Sequence, residues 1–589
     1  MKKSILLCLC FILLISACNS ETAPSSTVTP TTGLPTPMID VAPAPDVEEA
    51  AQVYFEAWKA EDYEGMYTLL SRLSQDAMTF EEFQKQHKDA AIALTLQSMD
   101  YAILSNMIKP SSAQVSYEIN YATTLLGTIS RSTIMNLTLE ENVWHVQWDA
   151  SMILPELAGG NRLELTYEIP ARGNIYDEYG YPLVAQDDAV AIGIVPGKID
   201  PENEDGMVSF LANLLFVSED SIREKYAYAQ PDWYVAIGDV SAAVAQQYSD
   251  RFNRYPGIVL SPFRSRYYYD GGIAPHVTGY VLSISPEELE EYQRKGYRGD
   301  EKVGATGLEA WGESYLAGKH GASLYIKDPQ GQVVTKLASS PAEPANSIYT
   351  TIDSTLQYNL QHSMDDYLGA IVVMERDTGR VLAMVSNPGY NPNLFEPVNY
   401  NSIMLQSVLN DPKLPLYNRA AQGVYPLGSV FKIITMAAAL ETGVFTPDYP
   451  YYCGNTWTEL QGVTLYDWTY TRNLPASGQL TLQEGLMRSC NPWFWHIGYT
   501  LWNEGYTTAI ADVAAGFGLG KKTGIEITEF EGRLEQPTSV SENVQLAIGQ
   551  GTLQVSPLQV ASFVAAVGNG GTLYRPTVVD KIVPVSGGD

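Results

Sequence analysis

The chain has 589 residues, which is too long for one hydrophobic core and indicates two to four domains. Apolar residues make up 45% and charged residues 17% of the sequence, as in ordinary globular proteins. The formal charge of −31 argues against nucleic acid or an anionic membrane surface as a partner.

The N-terminus resembles a bacterial lipoprotein signal. Two lysines precede an apolar run over residues 5–15, which suits a signal peptide and is too short to span a bilayer. The run ends in Ile-Ser-Ala-Cys18, which is similar to a lipobox. We therefore expect residues 1–17 to be cleaved and Cys18 to carry a lipid that holds the chain at the extracytoplasmic face of the bacterial cell membrane. The alternative is an ordinary signal peptide in which Cys18 is incidental.

Residues 18–45 are rich in Pro, Thr and Ser and predict a flexible tether. Residues 46–155 then predict a small α+β domain, with helical periodicity followed by alternating strands. One helix face is predicted from Ala51, Tyr54, Phe55 and Trp58, a second helix from Tyr67, Leu69 and Leu70, and strands over residues 114–121, 132–139 and 144–148. The domain resembles the cone-shaped, nuclear-transport-factor-like domain of MecA-type penicillin-binding proteins. Such a cone could bind a ligand, although a spacer role is favoured.

Residues 156–345 carry three glycine-containing motifs that predict tight turns or close backbone approach. They resemble motifs of the dimerisation or pedestal domain of penicillin-binding proteins, which is mostly β and is expected to be structural. In the first motif, Glu178 and Tyr179 replace the family's Arg-Asn. The motifs are Arg172-Gly-Asn-Ile-Tyr-Asp-Glu-Tyr-Gly180, His276-Val-Thr-Gly-Tyr-Val281 and Gly304-Ala-Thr-Gly307-Leu-Glu309.

Residues 346–589 predict an α/β domain that opens with two strands, over residues 369–374 and 380–386. Within it, Ser429 precedes an apolar helical stretch that contains Lys432 one turn further on, on the same face. An isolated serine at a helix start is usually only a cap. Burial of Lys432 would lower its pKa and let a neutral amine take the serine proton.

Ser489-Cys490-Asn491 follows 60 residues after Ser429. The spacing, with an Asn-Arg-Ala sequence before Tyr-Pro-Leu-Gly-Ser429, resembles class B penicillin-binding proteins, and Leu427 replaces the family's second proline. The resemblance implies a transpeptidase domain of the β-lactamase-like fold, with helices around a central antiparallel sheet. The whole chain is then a multidomain α+β and α/β protein.

The resemblance also implies the roles of the site residues. Ser429 is the nucleophile that attacks the D-Ala-D-Ala bond of a peptidoglycan stem peptide, and its backbone N–H contributes to the oxyanion hole. Lys432 is the general base, Ser489 relays a proton towards the leaving amine, and Asn491 holds the substrate amide. A β-lactam would mimic the substrate and stall as the acyl-enzyme. No cofactor or metal is implied.

The family's third motif, a late Lys-Thr-Gly strand, is not identified. Lys522-Thr523-Gly524 lies only 33 residues after the Ser-x-Asn motif, in a context similar to a structural loop of the family. We therefore expect Lys522 to lie in a surface loop without a catalytic role. The catalytic strand is expected beyond residue 589, which predicts that the transpeptidase domain is incomplete in this sequence.

Two cysteines remain after the signal and the lipid anchor, Cys453 and Cys490. They could form a disulfide outside the cytoplasm, but a buried free thiol is the favoured expectation for Cys490. No cysteine and histidine cluster has the spacing of metal ligands.

The leading hypothesis is a lipid-anchored D,D-transpeptidase that binds peptidoglycan stem peptides and β-lactams and works with cell-wall synthesis partners. The alternatives are a non-catalytic β-lactam-binding scaffold, because the Lys-Thr-Gly strand is missing, and, less favoured, a β-lactamase or D,D-carboxypeptidase.

Overall fold

The computed structural model describes residues 45–215, 218–364, 366–395 and 402–585. The predicted signal peptide, the lipid anchor at Cys18 and all but the last residue of the predicted tether lie outside the described residues. Across the described part of the chain, every helix is too short or too polar to cross a bilayer.

The first domain packs helices against one face of a four-stranded antiparallel sheet with the strand order β1-β2-β3-β4. Its elements are α1 (Val47–Lys59), α2 (Tyr63–Thr68), α3 (Arg72–Ala77), α4 (Phe80–Leu94), β1 (Leu96–Ile108), β2 (Ser112–Thr123), β3 (Gly127–Glu140) and β4 (Val143–Gln147). The Asp46 side chain accepts from the backbone N–H of Glu48 and caps α1.

The four residues predicted for the first helix face are all buried in the core of this domain. The second predicted helix is only partly correct. Tyr67 lies in α2, but that helix ends at Thr68, and Leu69 is its C-cap. The Leu69 carbonyl accepts from the Val146 N–H, so the chain leaves the helix here to pair with β4.

The second domain contributes five strands to a six-stranded sheet and also contains a three-stranded sheet and an antiparallel pair of short strands. Its strands are β5 (Arg162–Glu168), β6 (Ile175–Tyr176), β7 (Pro182–Ile194), β8 (Val235–Ser241), β9 (Ile258–Tyr268), β10 (Val281–Ser283), β11 (Lys302–Gly304), β12 (Gly321–Lys327), β13 (Val333–Ser340) and β14 (Asn346–Thr350). Its helices are α5 (Glu204–Leu215), α6 (Glu219–Tyr226), α7 (Ala242–Gln247), α8 (Ser249–Phe252), α9 (Pro275–Thr278), α10 (Leu289–Arg294), α11 (Gly307–Trp311) and α12 (Glu313–Leu316).

Two of the three pedestal motifs, the first and the third, meet in a buried ion-pair network. The Glu309 carboxylate is fully buried and lies 2.8 Å from Arg172 Nη2 and 2.7 Å from Arg266 Nε. Gly173 runs so close to β14 that a Cβ atom there would lie 1.9 Å from the Asn346 carbonyl oxygen. The Glu309 carboxylate therefore links the first and third motifs to each other and to Arg266 on β9.

The third domain surrounds a helical core with short strands. Its helices are α13 (Ser354–Ser363), α14 (Ser402–Leu409), α15 (Lys432–Glu441), α16 (Trp468–Thr471), α17 (Leu482–Met487), α18 (Asn491–Asn503), α19 (Ala509–Gly516), α20 (Val540–Leu546) and α21 (Pro557–Gly568). Its strands are β15 (Gly369–Met374), β16 (Val381–Asn387), β17 (Tyr451–Cys453), β18 (Thr456–Trp457), β19 (Leu465–Tyr466), β20 (Gly478–Leu480) and β21 (Val579–Pro584).

The two strands predicted at the start of this domain form the antiparallel pair β15 and β16. Helix α15 lies at the centre of the domain and packs against α17, α18 and α19. The strand β21 instead leaves the domain and pairs antiparallel with β14, with Ile582 opposite Ile348. The pedestal and the third domain therefore share one sheet and one hydrophobic core.

Candidate active site

Ser429 lies in a 3-10 turn, Gly428–Phe431, that runs directly into α15. The Gly428 N–H donates to the Gly549 carbonyl oxygen at 2.9 Å. A Cβ atom on Gly549 would lie 2.4 Å from the Gly428 oxygen, so this close backbone approach requires glycine. The turn leaves Ser429 exposed to solvent beside the N-terminal end of α15, where the helix dipole favours negative charge.

Lys432 is the first residue of α15 and its side chain is fully buried. Its Nζ lies 3.2 Å from Ser429 Oγ, 3.1 Å from Ser489 Oγ and 2.6 Å from Asn491 Oδ1. The Ser489 carbonyl oxygen is 2.9 Å away. The structure thus brings the four residues predicted from the two motifs to one point.

Burial lowers the pKa of Lys432 from its usual value near 10.5 to about 8, and the Asp467 carboxylate partly opposes this shift. Near neutral pH, a fraction of the protein molecules therefore carries Lys432 as a neutral amine. Since Nζ is within hydrogen-bond distance of Ser429 Oγ, it can accept the serine proton directly.

Ser489 lies between α17 and α18 and has a φ of 52°, which is uncommon for a residue other than glycine. This conformation turns both its carbonyl and its hydroxyl towards Lys432. Backbone strain of this kind is frequent at active sites. Asn491 begins α18, directly after the Cys490 N-cap.

Asp467 is a buried carboxylate that the sequence analysis did not identify. Its Oδ1 accepts from the Asn491 N–H at 3.0 Å, and its Oδ2 accepts from Thr469 Oγ1 at 2.7 Å. It is fully buried and its charge acts on Lys432. In the sequence, an aspartate before Trp468 indicates only the N-cap of a helix. The structure shows that Asp467 does cap α16, in addition to its contact with Asn491.

Cys490 is bonded to Cys453, so the expectation of a free thiol was wrong. Strand β17 pairs with β20 and packs against α18, which places Cys453 beside the start of that helix. The Cα atoms are 6.4 Å apart, within the range that a disulfide spans. The residue between Ser489 and Asn491 is therefore covalently tied to a strand.

Lys522 is exposed and lies in a segment over residues 521–532 that contains neither helix nor strand and whose Ile525 and Ile527 are buried. The Glu529 carboxylate accepts from the backbone N–H groups of Thr523 and Gly524, and Gln559 Nε2 on α21 donates to the Lys521 carbonyl. Within the described part of the chain, the Lys522 side chain does not contact Ser429 or Lys432. These hydrogen bonds hold the backbone of the Lys-Thr-Gly sequence in place, which is a structural role.

Three family models match the chain in order. The N-terminal one is the NTF2-like N-terminal transpeptidase domain, which matches residues 46–161. The penicillin-binding protein dimerisation domain matches residues 167–350, and the penicillin-binding protein transpeptidase domain matches residues 369–586.

Curated relatives carry names from the same group of proteins. Peptidoglycan D,D-transpeptidase MrdA of Escherichia coli K12 is 28% identical over 436 residues, which cover 71% of this chain and 67% of the relative. MrdA of Haemophilus influenzae is 29% identical over 445 residues, covering 72% of this chain and 67% of the relative. Penicillin-binding protein 3 of Bacillus subtilis is 26% identical over 551 residues, covering 91% of this chain and 80% of the relative.

Solved structures share the fold. The penicillin-binding protein PBP2 of Helicobacter pylori, in its complex with MreC, has a TM-score of 0.56 at 23% identity and covers 72% of this chain and 81% of its own. A chain of a peptidoglycan synthase complex has a TM-score of 0.53 at 28% identity, with coverages of 74% and 77%. The predicted α+β fold of three domains is confirmed, and the chain belongs to the class B penicillin-binding proteins, with the MecA-type order of domains.

Proposed function

We propose that the chain is a serine D,D-transpeptidase that crosslinks peptidoglycan stem peptides and is acylated by β-lactams. The observation that carries the proposal is the convergence of Ser429, Ser489 and Asn491 on the buried Lys432 amine. The names of the relatives and the transpeptidase-domain match support the same reaction.

In the proposed first step, the neutral Lys432 amine takes the Ser429 proton and Oγ attacks the carbonyl carbon of the D-Ala-D-Ala amide. The tetrahedral intermediate then collapses, the amide C–N bond breaks, and the leaving D-alanine amine takes a proton relayed from Lys432 through Ser489. The distances of 3.2 Å and 3.1 Å from Nζ to the two hydroxyls are compatible with that relay.

In the second step, the amine of a neighbouring stem peptide attacks the acyl-enzyme carbonyl and gives up a proton through the same groups. The new amide bond is the crosslink, and Ser429 regains its proton. Asn491 accepts from Lys432 in the resting site and would orient the substrate amide once the lysine is neutral.

The test is acylation of the purified chain by a fluorescent penicillin, followed by intact mass analysis. One adduct on Ser429 is expected, and it should vanish in Ser429→Ala while the control Ser363→Ala, an exposed serine on α13, retains it. Absence of an adduct in the wild type would refute the proposal.

Turnover separates the enzyme from its alternatives. A stem pentapeptide with an acceptor amine should yield crosslinked product and free D-alanine. Penicillin labelling without either product would favour a β-lactam-binding scaffold. Rapid release of hydrolysed drug would favour a β-lactamase, and D-alanine release without a crosslink would favour a carboxypeptidase.

We further propose that residues 1–17 are a signal peptide, that Cys18 carries a lipid at the extracytoplasmic face of the membrane, and that the chain works with other proteins of cell-wall synthesis. The N-terminal sequence supports the anchor. In Cys18→Ser the chain should lose lipid labelling and membrane retention in cell fractionation. Unchanged retention would contradict a lipid on Cys18.

A further inference from the structure

The Lys-Thr-Gly sequence, which has no part in the site at Ser429, forms part of the wall of another cavity. This cavity has a volume of about 200 Å³ and lies between the segment over residues 521–532, helix α21 and residues 573–576. Its lining includes two cations, Lys522 and Arg575, and does not include the residues that converge on the Lys432 amine. The cavity is therefore separate from the proposed active site.

The backbone at Lys522 is held in place from inside the domain. The buried Glu529 carboxylate accepts from the Thr523 N–H at 2.9 Å, from Thr523 Oγ1 at 2.7 Å and from the Gly524 N–H at 2.7 Å. The Lys522 side chain itself is exposed and, among the described residues, has neither an ion-pair partner nor a hydrogen-bond partner. Its ammonium group is therefore available to an anion at a fixed position of the chain.

Arg575 provides the second cation and is anchored at one side only. The buried Glu526 carboxylate accepts from Arg575 Nη2, from Thr577 Oγ1 at 2.8 Å and from the Val578 N–H at 2.9 Å. The Arg575 side chain nevertheless remains 61% exposed. Because a guanidinium group carries five N–H donors, Arg575 keeps donors for a second acceptor after it has bonded Glu526.

The cavity also has an apolar part, which is open to solvent. Leu573 and Tyr574 line the cavity and are 41% and 40% exposed, and Phe517 lines it from the end of α19. Apolar surface in a concave site is stabilised when a ligand removes it from water. Since a cavity of roughly 150 Å³ accepts a benzene ring, this cavity has room for one ring and a small substituent.

The charges of the lining favour an anion with a single charge. Arg575 already shares its charge with Glu526, so Lys522 is the one lining cation that lacks a carboxylate partner among the described residues. A doubly charged phosphate would find no second unpaired cation here. An exposed ion pair alone contributes little to binding, so the charge and the apolar wall have to act together.

We propose that this cavity binds a small monocarboxylate that carries one apolar ring. The carboxylate would accept from Lys522 and Arg575, and the ring would pack against Leu573 and Tyr574. The two cations are held by bonds that exist before the ligand arrives, so their ordering costs little on binding. The proposal does not depend on the reaction at Ser429.

Benzoate and benzamide are suitable probes because they share size and shape and differ in charge. Titration of the purified full chain by calorimetry or ligand-observed NMR should give about tenfold tighter binding of benzoate at low ionic strength. Lys522→Met keeps the apolar stem and should weaken benzoate to the level of benzamide. The matched control Lys521→Met changes the neighbouring exposed lysine, which does not line the cavity, and should retain the preference.

Two further measurements test the ring and the location. Acetate, which has the charge without the ring, should bind about tenfold more weakly than benzoate. Leu573→Ala, at an exposed position, should weaken benzoate and leave acetate unchanged. Ser429→Ala should bind benzoate as the wild type does, because the cavity lies outside the proposed active site.

The comparison of probes on the wild type keeps the test independent of variant folding. Equal affinities for benzoate and benzamide, or binding of acetate or inorganic phosphate as tight as that of benzoate, would overturn the proposal. Full benzoate binding by a folded Lys522→Met protein, or its loss in Ser429→Ala, would overturn it as well.

Discussion

At the residue scale, Lys432 is the centre of the site because burial and four oxygen contacts act on one amine. Burial disfavours the charged form, and the carbonyl and amide oxygens around Nζ hold the amine in position. The lysine is therefore at once a structural link between α15 and the Ser489 loop and a group poised to lose its proton.

The acylation rate of Ser429 by a β-lactam should depend on the protonation of Lys432. Because the pKa is lowered to about 8 and the neutral amine is the base, the rate should rise with pH and reach half its plateau near pH 8. Lys432→Ala should slow acylation by about 10²–10⁴-fold. Stopped-flow acylation between pH 6 and 10 measures both effects.

Lys522→Ala is the matched control for this prediction, because Lys522 lies in the loop held by Glu529. It should leave the rate and its pH profile unchanged. A flat profile in the wild type, or a loss in Lys522→Ala as large as in Lys432→Ala, would contradict the assignment of the base.

Asp467→Asn should move the same pH profile. The Asp467 charge raises the pKa of Lys432, so removing it lowers that pKa and shifts the rising limb to lower pH. The amide keeps an oxygen that can accept from the Asn491 N–H, so the geometry is retained. Asp512→Asn, at an exposed position on α19, serves as control, and an unshifted profile in Asp467→Asn would show that the carboxylate does not act on Lys432.

The spacing of Ser429 and Lys432 predicts their contact, because residues three apart lie on one turn of a helix. That Ser489 and Asn491 join them, 60 residues further on, was implied only by the resemblance to class B penicillin-binding proteins. The sequence did not predict Asp467, which is 24 residues from Asn491 in sequence. The contact of Asp467 with Asn491 depends on how the segment between β19 and α17 folds back. The local sequence pattern does not predict this conformation.

At the element scale, the loop between α17 and α18 is held from two sides. The Cys453–Cys490 disulfide ties it to β17, and the Asp467 carboxylate ties the first residue of α18 to α16. The left-handed Ser489 backbone lies between these two restraints. The sequence indicated two cysteines outside the cytoplasm, but their pairing depends on the placement of β17, which the short and irregular strands of this region do not reveal.

Loss of the disulfide should destabilise the third domain and slow acylation together. The bridge closes a segment with a sequence separation of 37 residues, and such a crosslink typically contributes about 2–4 kcal/mol to stability. The double variant Cys453→Ser, Cys490→Ser should therefore show a lower Tm, and its acylation by a fluorescent penicillin should be slower because Ser489 and Asn491 flank residue 490.

Treatment of the wild type with dithiothreitol provides an independent comparison, and Cys18→Ser provides a cysteine control outside this bridge. Acylation kinetics that are identical in the double variant and the wild type would mean that the disulfide supports only stability.

At the scale of the whole molecule, the pedestal and the third domain are joined through one sheet and one hydrophobic cluster. Strand β21 completes the pedestal sheet beside β14, and Ile348 is buried among side chains of both domains. The sequence indicated the pedestal motifs and the order of the domains. The return of β21 was not predicted, because pairing between strands so far apart in the chain leaves no local pattern.

Ile348→Ala should lower the unfolding temperature of both domains together. The truncation leaves a cavity in the shared core, with an expected cost of about 2–5 kcal/mol. Ile237→Ala is the control, since Ile237 belongs to a separate cluster in the pedestal. In differential scanning calorimetry the control should shift only the pedestal transition, and a third-domain transition that is unmoved in Ile348→Ala would contradict a common core.

The pairing of β14 with β21 also sets the order in which the chain can complete its fold. Asn346 lies opposite Pro584, so β14 is an unpaired sheet edge until almost all of the described chain has been synthesised. Contacts that distant in sequence form slowly, and an open strand edge can pair with another chain. Mutations that weaken β21 should therefore reduce the yield of soluble protein through aggregation before they alter the chemistry at Ser429.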